Sequence, residues 1–335
     1  MLSSCGLSSE SDQTVEENSQ GNQEGTTDEI AIDSEYTIQF AHVVNPSTAK
    51  GQAADYFAER LEEQTDGRIA VTVYPDSQLG SDREITEQIQ SGTIQMNAPF
   101  TGVMPAFVPQ YQVYDLPYLF ETRKMAYTMS NGELGEMMDD YLLEAGLRGL
   151  GFWDGGFKQL TTSTHAIESI EDLSGLTMRV SQSPLLMSQF QSWGATGVSV
   201  DFSELYTSLQ QGTVDGQENP LSNIVSQNLY EAQSFLTYSD HGYMGYVLMI
   251  SDSFYQDLPG DLQVIIEEVA DETTEWQFQQ SLASDAPMLK RKKTGIEINE
   301  LSEEVKFELR EASETVYDEF VNSVEGAEDM LQLFD

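Results

Sequence analysis

Apolar and polar residues alternate in a regular order along the first part of the chain. Residues 36–44, 68–75 and 93–100 have the alternation or apolar content of β-strands. Between them, residues 52–65 carry apolar side chains at helical spacing, and residues 81–92 begin and end with typical capping residues. The order βαβαβ predicts a mainly parallel sheet with helices on its faces.

The middle of the chain repeats this order of elements. Residues 146–154 and 175–180 are predicted strands, and 241–251 is apolar enough for a buried strand linking two halves of the protein. One long amphipathic helix is predicted from Asp261 to about Lys293, and a second from Glu303 to about Val324.

The chain is strongly acidic. Its 335 residues suffice for two domains of ordinary size. With 57 acidic and 15 basic residues the net charge is −42, which argues against nucleic acid or an anionic membrane surface as a partner. We interpret the charge as a solubility or high-salt adaptation of the surface. The sequence has no apolar window long enough to span a bilayer.

The N-terminal segment carries the single cysteine, Cys5, in the context "MLSSCG". This context resembles a bacterial lipoprotein cleavage site, with a lipid expected on Cys5; a stray thiol is the alternative. Residues 6–33 are polar and acidic and have no basic residue, so they cannot bury enough apolar surface to order themselves. Residues 1–34 are therefore expected to be an anchor and a tether, with the protein in the periplasm or on the outer face of the cytoplasmic membrane.

Common catalytic and cofactor motifs are absent. The sequence has no phosphate-binding loop, GxGxxG, GxSxG or HExxH pattern. His42, His165 and His241 are far apart, and their spacing matches no zinc motif. We therefore expect no metal, no cofactor and no enzyme activity, although counting cannot exclude a hydrolytic carboxylate pair.

One arginine stands out by position. Arg179 is the last basic residue before Lys290, at the end of a predicted strand and just before a helix that begins near Ser183. Open α/β sheets hold ligands at such strand ends, and a helix N-terminus favours anions. An ion pair with a local carboxylate such as Asp172 or Glu204 is the alternative.

Several stretches together resemble the solute-binding proteins of tripartite ATP-independent periplasmic (TRAP) transporters, in particular the dicarboxylate-binding DctP type. The resemblance covers about residues 36–325 and rests on the order of these stretches. They are "FAHVVNPSTAKG" at the start, "VYDLPYLF" (113–120), "GFKQLTTS" (156–163), "DLSGLTMRVSQSPLL" (172–186), "DGQENPLSNI" (215–224) and "YSDHGYMGYVLMIS" (238–251).

The resemblance implies a two-lobed α/β fold of the periplasmic-binding-protein kind, type II-like, with two mainly parallel sheets flanked by helices and a long connecting helix. Lobe I is expected at 35–157 plus about 246–285, lobe II at 158–245 plus about 286–325, and a tail at 326–335. A cleft between the lobes would close on a small organic acid, and the small and large permease subunits of the transporter would receive it.

The resemblance also implies a set of ligand-binding residues. The family's carboxylate-binding arginine falls on Arg179 in "GLTMRV" and its asparagine on Asn219 in "DGQENP". Basic contacts fall on Lys158, where arginine is commoner in the family, and on Lys50 in "TAKG". By position alone, further candidates for the cleft lining are Phe100, Gln182, Ser183 and Asn223.

Interpretations without a role in ligand binding stay open for these residues. Asn219 precedes Pro220 and is a possible turn residue, and either lysine is a possible surface residue. The basic run 290–293 is either a contact for the permease or a solvated helix end. The expected ligand is a C4-dicarboxylate such as succinate, fumarate or malate. The alternatives are another organic acid (a sugar acid, a keto acid or an aromatic acid), a hydrolase, or a sensor coupled to a membrane kinase.

Overall fold

The computed structural model describes residues 34–285 and 295–334, and within them the strands form two sheets. The strands of the first sheet are β1 (Tyr36–Ala41), β2 (Ile69–Tyr74), β3 (Met96–Asn97), β4 (Leu147–Phe157) and β10 (Tyr243–Ser251). Those of the second are β5 (Gln159–Thr162), β6 (Thr177–Val180), β7 (Thr196–Ser199), β8 (Gly216–Asn219), β9 (Phe235–Tyr238) and β11 (Glu297–Glu300). The spatial orders are β2-β1-β3-β10-β4 and β11-β9-β5-β8-β6-β7.

Helices connect and cover the strands. Those before β10 are α1 (Ala49–Gln64), α2 (Asp82–Gln90), α3 (Arg123–Ser130), α4 (Glu133–Glu144), α5 (Pro184–Ser192), α6 (Leu205–Gln210) and α7 (Leu221–Ser226). After β10 come α8 (Asp252–Asp257), α9 (Gly260–Asp285), α10 (Glu303–Ala312), α11 (Glu314–Ser323) and α12 (Ala327–Gln332). Among the described residues, no helix is long and apolar enough to cross a bilayer.

The expected architecture of two helix-flanked sheets is confirmed, and so is the predicted βαβαβ start, which is β1-α1-β2-α2-β3. The sheets are mixed. In the first sheet β1 runs parallel to β2 and β3, whereas β10 runs antiparallel to β3 and β4. In the second sheet β5 runs antiparallel to β8 and β9. Two connections pass from one sheet to the other: β4 continues into β5, and β9 returns into β10. Because the chain leaves the first sheet through β4 and re-enters it through β10, these two strands run in opposite directions, and so do β5 and β9.

The two connections that pass between the sheets lie against each other at Lys158 and Gly242. The backbone N–H of Lys158 donates to the carbonyl of Gly242 at 2.8 Å. A Cβ on Gly242 would lie 2.7 Å from Cε of Lys158, so glycine lets the two segments approach. The close contact of these two connections places Lys158 between the two sheets.

The C-terminal helices differ from the expected ones. The helix predicted from Asp261 to about Lys293 is helical over Gly260–Asp285, and the remainder, with the basic run 290–293, lies outside the described residues. The second long helix is divided into α10 and α11 at Ser313, whose hydroxyl donates to the carbonyl of Leu309 at 2.7 Å. Such back-bonding by serine bends helices. Residues 327–332, expected in a tail, form α12, which buries Ala327 and Met330.

Candidate ligand-binding cleft

A cleft lies between the two sheets and encloses about 560 Å³ that no protein atom fills, part of it open to solvent. The first sheet and its helices contribute Val43, Val44, Ser77, Ser81, Asp82, Arg83, Phe100, Val103, Met244 and Tyr246. The second contributes Arg179, Ser181, Gln182, Val200, Asp201, Phe202, Ser203, Asn219 and Asn223. Most of the first group follows β1, β2 and β3 and most of the second follows β6, β7 and β8, so the cleft lies at strand ends, where open α/β sheets bind ligands.

Arg179 lies on β6 and is 4 % exposed. Its Nε donates to the carbonyl of Val200 at 2.8 Å, which fixes the guanidinium against the next strand end. Neither Nη group makes a hydrogen bond or ion pair with any residue of 34–285 or 295–334. Asp172 instead accepts hydrogen bonds from Glu168 and Ser169, so the predicted alternative of a local ion pair does not hold for it.

Burial lowers the pKa of Arg179 to about 10, and the negative charges of Glu218 and Asp201 act against this decrease. The guanidinium is therefore still protonated at neutral pH. A buried cation whose terminal donors have no protein partner gains most from an anion, because it has already lost its water.

Asn219 is fully buried at the end of β8 and belongs to a chain of side-chain amides. Its Nδ2 donates to Oε1 of Gln217, whose Nε2 donates to the hydroxyl of Thr161 at 2.9 Å. Asn223, on α7, donates through Nδ2 to Oδ1 of Asn219 at 3.0 Å. These bonds fix the orientation of both asparagines, and both line the same cleft as Arg179.

Phe100 and Gln182 also line the cleft, whereas Ser183 does not. The backbone N–H of Phe100 donates to Oδ2 of Asp82 at 3.3 Å, which fixes the main chain of Phe100 at the cleft wall. Gln182 donates through Nε2 to Oδ1 of Asp201. Ser183 is fully buried as the N-cap residue of α5 and lies beside Asp115.

Lys158 lies behind the cleft, where it is 1 % exposed. Its Nζ donates to Oε1 of Glu218 at 2.6 Å, and Oε2 of the same carboxylate lies 2.7 Å from Nε2 of His241. Burial by itself would raise the pKa of Glu218, but the charge of Lys158 and the hydrogen bond from His241 lower it to about 2. Lys158 is thus paired with the residue that precedes Asn219 on β8.

Lys50 is on the first turn of α1 and is 2 % exposed. Its Nζ makes no hydrogen bond with any described residue and lies 4.3 Å from the ring centroid of Tyr246, which lines the cleft. Burial lowers the pKa of Lys50 to about 8, and the carboxylate of Asp82 acts against this decrease. Lys50 is therefore a protonated cation directly behind the cleft wall at pH 7.

The structure thus gathers five of the eight predicted ligand-binding residues at one cleft: Phe100, Arg179, Gln182, Asn219 and Asn223. Lys50, Lys158 and Ser183 are buried next to it. Sequence reasoning missed Asp82, Asp201 and Tyr246, because nothing in the sequence distinguishes them from the other acidic residues, 57 in all, or from the other tyrosines, 15 in all. No group of three or more His, Cys, Asp or Glu side chains suited to a metal ion occurs among the described residues.

The comparisons with known proteins agree on one family. The model of bacterial extracellular solute-binding protein family 7, DctP, matches residues 40–323. The C4-dicarboxylate-binding protein DctB of Bacillus subtilis is 35% identical over 300 residues, covering 89% of this chain and 84% of that protein. The C4-dicarboxylate-binding periplasmic protein DctP of Rhodobacter capsulatus is 37% identical over 294 residues, covering 87% of this chain and 88% of that protein.

Solved structures of TRAP periplasmic solute-binding proteins share the fold. One from Sulfurospirillum deleyianum, with bound succinate, has a TM-score of 0.85 and 36% identity, and covers 90% of this chain and 98% of its own. The sugar acid binding protein DctPAm of Advenella mimigardefordensis, in complex with galactonate, has a TM-score of 0.85 and 31% identity, and covers 89% of this chain and 98% of its own. The same fold therefore accommodates acids of different shape.

Proposed function

The chain belongs to the DctP family of bacterial extracellular solute-binding proteins and is a solute-binding receptor of the TRAP type; from this premise we propose that it captures a C4-dicarboxylate such as succinate, fumarate or malate. The observation that carries the proposal is the Arg179 guanidinium, buried at the cleft with both Nη groups unpaired by the described residues. Two parallel N–H donors match the spacing of carboxylate oxygens.

The energies are sufficient for a micromolar ligand. Such a ligand needs about 8 kcal/mol in total. Each hydrogen bond to a charged group contributes about 1.5–3 kcal/mol. The two Nη donors of Arg179 and the amide of Asn219 supply much of this total, and burial of the carbon chain supplies the rest.

The walls favour a plain carbon chain over a polyol. Apolar side chains from both sheets line the cleft: Val43, Val44, Phe100, Val103, Val200, Phe202 and Met244. Methylene groups bury well against such a wall, whereas the several hydroxyls of a sugar acid would each need a partner. The curated relatives from Bacillus and Rhodobacter, both C4-dicarboxylate-binding proteins by name, support the same ligand class.

We propose that Lys50 serves the second carboxylate. It is a cation with no hydrogen-bond partner among the described residues, on the opposite side of the cleft from Arg179. Nζ of Lys50 lies against the ring of Tyr246, which lines the cleft, whereas Lys50 itself does not line it, so the contribution of Lys50 would be electrostatic. Lys158 would act indirectly, by holding Glu218 beside Asn219.

Ligand binding would shift an open–closed equilibrium of the two lobes toward the closed form, because only that form lets one ligand touch both sheets. The closed form would deliver the acid to the membrane permease subunits. We further propose that the protein works in the periplasm or on the outer face of the cytoplasmic membrane, held by a lipid on Cys5. Cys5 lies outside the described residues.

A ligand titration tests the proposal. Calorimetry with succinate, fumarate and malate, and with galactonate as the comparison, should give saturable binding that is at least tenfold tighter for a C4-dicarboxylate. Bound ligand should raise the melting temperature by mass action and be recovered unchanged. Tighter binding of galactonate would overturn the dicarboxylate assignment but leave the receptor function, whereas conversion of any of these acids would indicate an enzyme.

A further inference from the structure

A second cavity lies on the first sheet between α4, α9 and β4. It contains about 1070 Å³ that no protein atom fills, part of it open to solvent. No residue that lines it also lines the ligand-binding cleft. The proposed organic acid therefore gives no account of this cavity.

The floor of the cavity is strand backbone. A Cβ on Gly149 would lie 2.3 Å from Oδ1 of Asp139, and one on Gly151 would lie 2.5 Å from the hydroxyl of Thr274. Real Cβ atoms do not approach other atoms so closely. The two glycines of β4 thus let polar side chains of α4 and α9 lie directly against the strand.

One part of the lining is aromatic and includes the hydroxyl of Tyr111. Tyr111 and Tyr114 stack with ring centroids 5.6 Å apart, and Tyr114 stacks on Phe152 at 4.9 Å. Tyr111 is 2 % exposed, yet its hydroxyl makes no hydrogen bond with any described residue. Tyr111 lines the cavity, so its hydroxyl is available to pair with a ligand there.

The two walls carry carboxylates. Glu136 and Asp139 are three residues apart on α4, and Glu267 and Asp271 are four apart on α9, so each pair lies on one helix face. The one cation in the lining, Arg148, already pairs with Asp252 outside it at 2.8 Å. Burial raises the pKa of Asp139 and of Asp271. The charge of Arg148 acts against the increase at Asp139, whereas the carboxylate of Glu136 adds to it, and the carboxylate of Glu267 adds to the increase at Asp271. A cation between the walls would relieve this repulsion.

We propose that this cavity binds a linear diamine or polyamine, with ammonium groups between the paired carboxylates of α4 and α9 and the alkyl chain against the tyrosine rings. An ammonium group donates to carboxylates and to a hydroxyl such as that of Tyr111, and it is attracted by aromatic faces. A bare metal ion fits less well, because the described residues form no group of three or more ligands suited to one.

The test is a calorimetric titration of the full-length protein with 1,4-diaminobutane at constant ionic strength, with 1-aminobutane as the monovalent comparison. Saturable binding with one site is expected for the diamine, and at least tenfold weaker binding for the monoamine. The double variant D139N/D271N, with one change on each wall, should weaken diamine binding at least tenfold, and Y111F should weaken it severalfold.

Two further measurements separate this site from other causes. E304Q/E308Q removes the same charge from exposed positions on α10 and should change diamine affinity less than twofold. An equal loss of diamine affinity in this control would show adsorption to the acidic surface. Either that result or the absence of saturable diamine binding would overturn the proposal. Succinate affinity should be unchanged in D139N/D271N, so failure of either site is recognisable independently of the other.

Discussion

Replacing Arg179 by lysine tests the central contact of the cleft while keeping its charge. In the structure Nε of Arg179 is occupied by the carbonyl of Val200 at 2.8 Å, and the two Nη groups are left for the ligand. A lysine has one terminal nitrogen for all these tasks and no fork. We therefore expect Arg179→Lys to lose one of two charge-assisted hydrogen bonds to the ligand carboxylate.

The expected loss follows from that count. One hydrogen bond to a charged group contributes about 1.5–3 kcal/mol. At about 1.4 kcal/mol per factor of ten, the affinity should fall about ten- to hundredfold. Deprotonation of the new lysine should add little to this loss at pH 7. Lys50 is buried to a similar extent, and burial lowers its pKa only to about 8.

Calorimetric titration of succinate into wild type and Arg179→Lys measures the change. Arg60→Lys is the matched control, because it makes the same substitution at a partly exposed ion pair with Glu272 outside the cleft. The control should bind like wild type, and thermal unfolding should show that both variants are folded. An affinity of Arg179→Lys within twofold of wild type would refute the assignment of the guanidinium to the ligand.

Three further predictions concern the buried residues around the cleft. Lys50→Met removes a buried ammonium without a partner, so we expect a higher melting temperature at pH 7, a smaller gain as pH rises from about 8 toward 10.5, and weaker dicarboxylate binding by calorimetry. Glu218→Gln leaves Lys158 buried and unpaired, which should cost about 3–5 kcal/mol in denaturant unfolding. Since its pKa drops from 4.5 to about 2 on folding, the wild-type carboxylate contributes stability above about pH 4.5 that is lost as the pH falls toward 2, and the variant should lack this dependence. Gly242→Ala places a Cβ 2.7 Å from Cε of Lys158 and should lower the stability by about 1–3 kcal/mol, whereas Gly260→Ala, with no atom within 4 Å, should not.

The part of the fold that was predictable is the part with local signals. Alternation in β1 and β2, the Ser81 cap of α2 and the Ser183–Pro184 start of α5 are all properties of short segments. The pairing of β10 with β3 and β4 is not local, since it joins residues about 90 to 150 positions apart. A nearly continuous apolar strand is compatible with either direction of pairing, so the mixed character of the sheets was not readable from the sequence.

The same distinction separates the site residues. Arg179 ends a predicted strand, whereas Asn219 was expected at the site only from the resemblance to the DctP family. The structure places the two residues on β6 and β8, which are parallel neighbours, so both lie at the same edge of the sheet. Lys158 depends on Glu218, which is 60 residues away on β8. With 57 acidic residues in the chain, sequence reasoning had no means of choosing this partner.

The buried lysines have a physical consequence for how the cleft is charged. Lys158 is neutralised by Glu218 at 2.6 Å, so it adds little field at the cleft, whereas Lys50 has only the opposing carboxylate of Asp82 nearby and no hydrogen bond among the described residues. Arg179, on the other sheet, is likewise not ion-paired within them. Each side of the cleft therefore has a cation, Lys50 or Arg179, that is not ion-paired within the described residues. A dianion that bridges them gains from both charges only when the two sides are close, and this dependence on distance makes closure the expected response to a dicarboxylate.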